Sequence, residues 1–308
     1  MAAIKVQKLS HPSPSLKWPA WVIMFLASSI TPILWRELAG GEPYWWSWVL
    51  CLGLLTILSL TLIRADLKPL KGYALILLTT FLLGYGNPPQ TWGLITIIRS
   101  STLWINWAKQ APWAISNIAL HLLRLTPTMA AMTILILMGR KRKEFYLALG
   151  KLNSSVEPSK LLGMKKPESW TRIGSIFAAV FTVATLMFLI ATWKVPSNAF
   201  LNVVPLIPAA FFIASINAFN EEFTLRAAPL STLTPAVGEK QSNLITAVNF
   251  GLGHFYGVPN GLPGVLMSTF LGWFLGKSLL ETKGFFWAWL IHFFPDVIIF
   301  TFYAMIAV

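Results

Sequence analysis

Two adjacent carboxylates stand at the end of a long apolar run in this sequence. Residues 195–219 carry no charge, and Glu221 and Glu222 follow them, with Arg226 four residues after the second carboxylate. Charged groups beside hydrocarbon are costly and are retained mainly where they function. The i,i+4 spacing predicts an ion pair between Glu222 and Arg226. Neighbouring helix residues point about 100° apart, so we expect Glu221 to face the protein interior in a separate role.

Two further apolar segments carry ionisable side chains. His254 lies four residues after Phe250, and Asp296 lies four residues after His292, so each pair occupies one helix face. A carboxylate and an imidazole that meet in a water-poor cavity can activate a water molecule as a nucleophile. A purely structural role for these costly groups is the alternative.

The same side chains also resemble a set of zinc ligands. Glu221, His254, His292 and Asp296 provide nitrogen and oxygen donors, the kind that zinc accepts. A zinc-bound water would then be the nucleophile. We favour the metal-free interpretation, without a cofactor, and keep zinc as the alternative.

The composition predicts a membrane protein. Of 308 residues, 56% are hydrophobic and 11% are charged, and the mean hydropathy is +0.65. Soluble domains carry about 25% charged residues. Residues 43–63, 173–193 and 195–220 contain no Asp, Glu, Lys, Arg or His and are each long enough to cross a bilayer. We therefore predict an all-α fold, a polytopic transmembrane helix bundle with the active site inside the bundle.

The pattern of apolar runs and turn signals predicts about eight membrane segments. Residues 92–110 carry two basic side chains and predict an amphipathic surface helix. The polar, basic loop 139–172 divides the chain into an N-terminal region, 1–172, and a catalytic core, 173–308. Helices are predicted at about 18–35, 44–63, 72–87, 112–138, 173–193, 199–225, 241–256, 263–280 and 284–307. Residues 241–276 contain the turn signal "GVPNGLPG" and fit either two short helices or a re-entrant hairpin, so the count varies by one.

The net charge of +13 is distributed like a topology signal. Of the 24 Lys and Arg residues, 19 lie before residue 18 or in 64–71, 139–172, 226–242 and 277–283. The other five, which include Arg124, fall in the proposed outer loops. This asymmetry follows the positive-inside rule. It predicts that the N-terminus and the loop 139–172 are cytoplasmic and that the protein lies in a plasma (inner) membrane. The partner of the basic residues is then expected to be the lipid bilayer and not a nucleic acid.

Three motifs resemble those of the CPBP intramembrane proteases. That family comprises CAAX-type prenyl endopeptidases and bacteriocin-processing or immunity-related relatives, and its pattern is E-E-x-x-x-R, F-x-x-x-H and H-x-x-x-[N/D]. This chain has "EEFTLR" at 221–226, "FGLGH" at 250–254 and "HFFPD" at 292–296, in that order. The resemblance covers roughly residues 173–308.

The resemblance implies a glutamate-type intramembrane endopeptidase that cleaves a membrane-associated protein or peptide. By position, Glu221 would be the general base with His254 as its partner, and His292 with Asp296 would hold the oxyanion. Glu222 and Arg226 would support the base. Because an ionised carboxylate repels an oxyanion, Asp296 must stay protonated or orient His292 as a charged donor.

Two other functions fit the sequence. A membrane scaffold or immunity protein would retain the motifs without catalysis and would work with Glu221 mutated. A proton-coupled carrier would relay protons through Glu221 and Asp296. Carriers are commonly built from repeated halves, and the two halves of this chain look unlike.

Overall fold

The computed structural model describes residues 13–41, 46–84, 93–196 and 198–307, and this part of the chain is helical apart from one pair of short strands. The predicted all-α class is therefore confirmed. Strands β1 (Ser155–Val156) and β2 (Glu168–Ser169) pair antiparallel in the basic loop. The α-helices in chain order are α1 (Lys17–Ala27), α2 (Ile30–Ala39), α3 (Trp46–Ile63), α4 (Lys71–Leu83), α5 (Leu94–Ser100), α6 (Thr102–Gln110), α7 (Trp113–Leu123), α8 (Leu125–Leu137), α9 (Trp170–Thr192), α10 (Ala199–Asn202), α11 (Ile207–Glu222), α12 (Ala228–Val237), α13 (Glu239–Leu252), α14 (Gly261–Thr282) and α15 (Phe286–Ala307).

Four helical segments of the described residues are long and apolar enough to cross a membrane. They are Trp113–Leu137, Trp170–Thr192, Ala199–Val237 and Phe286–Ala307, and the bent pair α1 and α2 would make a fifth. The chain is thus an integral membrane helix bundle, but the count of about eight segments is not confirmed. The predicted helix boundaries at 44 and 87, like the N-terminal tail, lie outside the described residues.

The predicted first helix, 18–35, is interrupted. Helices α1 and α2 meet at an angle of 58°. Ser28 is extended there, with ψ 172°, and its hydroxyl donates to the carbonyl of Phe25. Such side-chain bonds compete with the helix backbone, and Pro32, which has no N–H, is accepted in the first turn of α2.

The predicted surface helix over 92–110 is also divided. Helix α5 ends at Ser100, and Ser101 is extended with ψ 144° before α6 begins. The hydroxyl of Ser101 donates to the carbonyl of Ile98 at 2.7 Å. As at Ser28, the serine hydroxyl bonds to a carbonyl in the last turn of one helix, so the backbone can leave the helical conformation there.

The chain divides into two compact units, each formed by several separate segments. One unit contains residues 1–101, 126–146 and 223–277. Its apolar core joins α1, α3 and α4 to α12 and α13, with Met24, Leu54, Tyr73 and Leu233 buried within it. The predicted division at residue 172 stays a prediction.

The other unit contains residues 102–125, 147–222 and 278–308. Its core joins α7, α11 and α15, where Ala210, Ile213 and Ala214 pack against Val297 and Phe300. The three small or β-branched residues of α11 let the two helices approach closely, as is common in membrane bundles. This packing positions the side chains described next.

Candidate active site

Helix α11 carries four polar side chains near its C-terminal end, Asn217, Asn220, Glu221 and Glu222. Asn217 and Glu221 are four residues apart and so share a face, and the Asn217 amide donates to Glu221 Oε1 at 3.2 Å. Glu222 is fully buried. Most of the earlier residues of α11 are apolar, and Phe211 and Phe212 among them are exposed, which a membrane allows, whereas Asn217, Asn220 and Glu222 are buried in the protein.

Helix α15 presents His292 and Asp296 on one face, as their spacing predicts. Both side chains are buried. Pro295 lies between them inside the helix. Because proline has no N–H, the carbonyl of Ile291 loses its α-helical donor, so the backbone hydrogen bonding is weakened at the residues that carry the ionisable groups.

The imidazole of His292 lies between the two adjacent glutamates. Its Nδ1 is 2.6 Å from Glu222 Oε1, a short hydrogen bond in which the ring N–H donates to the carboxylate. Its Nε2 is 3.7 Å from Glu221 Oε2 and 3.7 Å from Asp296 Oδ1. Glu222 thus fixes the orientation of the ring, and Nε2 faces Glu221 and Asp296 at a distance that a water molecule could bridge.

Two residues outside the predicted set complete this cluster. The Asn217 amide donates to Asp296 Oδ2 at 2.9 Å, and its oxygen accepts from Arg124 Nη1 at 3.3 Å. Arg124 Nη2 lies 3.6 Å from Glu221 Oε1. Asn217 had a signal in the sequence, because it is a polar residue four positions before Glu221 in an apolar helix.

Arg124 was placed in an outer loop by the charge count, and this was wrong. It follows α7 directly within the continuous helical segment Trp113–Leu137. The helix continues because Pro127 falls in the first turn of α8, where its missing N–H is tolerated. A count of charges along the sequence cannot distinguish a loop arginine from one that points into a bundle.

In the other unit, Phe250 and His254 of the second motif stack with Arg226 of the first motif. The guanidinium of Arg226 lies over the ring of Phe250, 3.9 Å from its centroid, and its Nε donates to the carbonyl of Gly272. The ring of His254 lies on Phe250 at 4.2 Å, and its Nδ1 donates to the Phe250 carbonyl at 2.8 Å. The neutral ring therefore has Nε2 as its acceptor nitrogen.

Gly272 allows the close approach of Arg226 in this stack. A Cβ at this position would lie 3.2 Å from Arg226 Nη2 and 3.2 Å from Phe250 Cδ1. Contacts as short as these require the neighbours to move. A Cβ at residue 272 would therefore require the guanidinium, the ring or the nearby backbone to shift by a few tenths of an ångström.

The predicted ion pair between Glu222 and Arg226 assumed an α-helix through both residues. Residues Phe223–Ala227 instead form a π-helix. In a π-helix the backbone bonds run from i to i+5, so i,i+4 residues no longer stack as they do in an α-helix. Because Glu222 and Arg226 belong to different units, their ion pair stays a prediction. Short π-helical segments within α-helices occur frequently at functional sites.

A cavity of about 340 Å³ lies in the same unit as His292. Its lining is mostly apolar and comes from Leu125, Ser215, Ile216, Phe219, Phe285 and Trp289. Phe219 is three residues before Glu222, and Trp289 is three residues before His292, so the lining continues along the helix faces that carry this hydrogen-bonded pair.

The arrangement of possible metal ligands bears on the zinc alternative. No group of three or more His, Cys, Asp or Glu side chains in the described part of the chain has a geometry that could hold a metal ion. That the protein works without a metal stays a prediction, which chelation tests.

Comparison with known proteins identifies one family. Residues 200–298 match the family model described as Type II CAAX prenyl endopeptidase Rce1-like. The match contains every predicted site residue, from Glu221 to Asp296, and excludes Arg124. No curated protein and no solved structure matches the chain.

Proposed function

We propose, on the premise that residues 200–298 belong to the Type II CAAX prenyl endopeptidase Rce1-like family, that this chain hydrolyses a peptide bond of a membrane-associated protein. The observation that carries the proposal is the buried cluster of Glu221, Glu222, His292 and Asp296. Three carboxyl groups around one imidazole are costly in a membrane protein. Their retention is accounted for if they perform chemistry.

The proposed base is Glu221. It takes a proton from a water molecule, the water oxygen attacks the carbonyl carbon of the peptide bond, and the carbonyl oxygen becomes an oxyanion. His254, named by the family resemblance, is the proposed partner in activating the water. When the tetrahedral intermediate collapses, the C–N bond breaks and the proton held by Glu221 passes to the leaving amine. The products are a carboxylic acid and an amine, which together contain every atom of the peptide bond and of the water, and the acid then gives up its proton to become a carboxylate.

The proposed oxyanion donor is His292. Its Nδ1–H is donated to Glu222, so Nε2 is the nitrogen that faces Glu221 and Asp296. With a proton on Nε2 the ring can donate to the oxyanion, and Asp296 keeps that proton in place. Fixed donors in a water-poor site stabilise developing charge more than they would in water.

The proposed substrate is a protein or peptide that reaches the site from the bilayer. The apolar cavity lined by Phe219, Phe285 and Trp289 favours an apolar segment, either lipidated or rich in hydrophobic side chains. From the distribution of Lys and Arg, we propose that cleavage occurs near the cytoplasmic face of a plasma (inner) membrane. We propose that no cofactor and no nucleic acid take part.

Comparative proteomics tests this function. Cells that carry the wild-type protein, the Glu221→Gln variant or no copy of the gene are compared for membrane peptides of altered length. We expect an uncleaved precursor to accumulate equally in the variant and in the null cells. The matched control is Glu168→Gln, which removes an exposed carboxylate paired with Arg172 and should leave the profile unchanged.

A non-catalytic scaffold gives a different outcome. Cells with the Glu221→Gln protein would then resemble wild-type cells, and only the null cells would differ. That result would contradict the proposed hydrolysis.

A further inference from the structure

The acidic cluster contains more negative charge than His292 can balance. Glu221, Glu222 and Asp296 each lie within 3.7 Å of the imidazole. A protonated imidazole neutralises one carboxylate at most. Like charges that share a buried site oppose each other's ionisation, so a further positive group is needed if more than one carboxylate is to stay ionised.

Arg124 supplies such a group. Its side chain reaches the cluster from the end of α7, with Nη2 3.6 Å from Glu221 Oε1. About a quarter of the side chain is exposed, 23%, whereas Glu221 is 12% exposed. A guanidinium stays protonated under all physiological conditions, so its charge is permanent.

Asn217 extends this charge to Asp296. Its oxygen accepts from Arg124 Nη1, and its amide nitrogen donates to both Glu221 Oε1 and Asp296 Oδ2. The amide can make all three bonds in only one orientation, with its oxygen toward the cation and its nitrogen toward the anions. The side-chain dipole is therefore aligned with the charges on either side.

We infer that Arg124, acting directly and through Asn217, is the positioning residue that orients Glu221 beside Asp296. The inference builds on the proposed function, because it assigns a role in supporting the base. Arg124 lies outside residues 200–298, the segment that matches the family. The helical segment Trp113–Leu137 thus contributes a functional side chain to a site otherwise formed by the matched segment.

A double-mutant cycle between Arg124 and Asp296 tests this inference. The variants are Arg124→Gln, Asp296→Asn and their combination, with Arg124→Lys to keep the charge and Arg172→Gln as the control for an exposed arginine. Melting temperature in detergent is measured for each, and turnover of the precursor is measured in proteoliposomes. The first readout needs no substrate.

Arg124→Gln is expected to lower kcat with little change in KM, and to lower the melting temperature. Its effect on kcat is expected to be about tenfold smaller when Asp296 is already Asn, since neighbouring charged groups are coupled. Arg124→Lys should recover part of the loss, and Arg172→Gln should behave as wild type.

The inference is contradicted if Arg124→Gln has the same effect in the wild-type protein and in the Asp296→Asn variant, whether on activity or on the yield of folded protein. That result would mean that the arginine only anchors the helix. If the wild-type protein cleaves nothing but the melting temperatures remain coupled, the proposed function fails and charge compensation by Arg124 stands.

Discussion

The hydrogen bond between Glu222 and His292 gives the sharpest test of how the site is held. In the variant Glu222→Gln, an amide of nearly the same shape replaces the carboxylate. The Gln oxygen can still accept from His292 Nδ1, but the acceptor no longer carries a negative charge. We expect a loss of both stability and activity.

The size of the loss follows from the geometry. The atoms are 2.6 Å apart, and Glu222 is fully buried. Hydrogen bonds to charged groups contribute about 1.5–3 kcal/mol and neutral ones about 0.5–1.5 kcal/mol. The substitution should therefore cost about 1–1.5 kcal/mol, more if the new NH₂ group finds no acceptor. If the transition state loses the same stabilisation, the reaction becomes about tenfold slower.

The assay compares melting in detergent and precursor cleavage for wild type, Glu222→Gln and Glu168→Gln. Glu168 also pairs with a basic group, at 3.1 Å from Arg172, but its side chain is 38% exposed. Exposed pairs contribute little, so the control should match wild type. If Glu222→Gln melts and cleaves as wild type does, Glu222 does not hold His292 and the description of the site is wrong.

Three further outcomes are expected. Arg226→Ala should lower the folded yield and the melting temperature, because it leaves Phe250 and the Gly272 carbonyl without a buried guanidinium; a wild-type melting curve would contradict this. Asp296→Asn should keep substantial activity, whereas His292→Ala should lose about 10²–10³ in turnover with the oxyanion donor; an inactive but folded Asp296→Asn protein would favour a zinc ligand instead. Activity should persist after exhaustive chelation and dialysis, and one equivalent of zinc whose removal stops turnover would establish a metal-dependent protease.

Local spacing allowed part of the site to be predicted. His292 and Asp296 share a helix face because four residues make about one α-helical turn, and no distant contact is needed to infer this. The apolar runs likewise predicted a membrane helix bundle. Both inferences depend on short-range periodicity, which a single sequence contains.

The partners of these side chains depend on tertiary packing and could not be predicted. Glu222 bonds to His292, 70 residues away, and Arg124 bonds to Asn217, 93 residues away. Nothing in the local sequence specifies which helices pack together. The π-helix at Phe223–Ala227 changes the spacing of the first motif in a way that α-helical periodicity does not anticipate.

The central claim is that Glu221 activates the attacking water. It is tested most directly by the cleavage rate of purified Glu221→Gln protein in proteoliposomes, with the precursor found by proteomics as substrate. Gln keeps the shape of the side chain but accepts no proton. We expect a folded protein whose rate is lower by at least about 10²-fold, the lower end of the contribution of a general base. A rate equal to that of the wild type would contradict the claim.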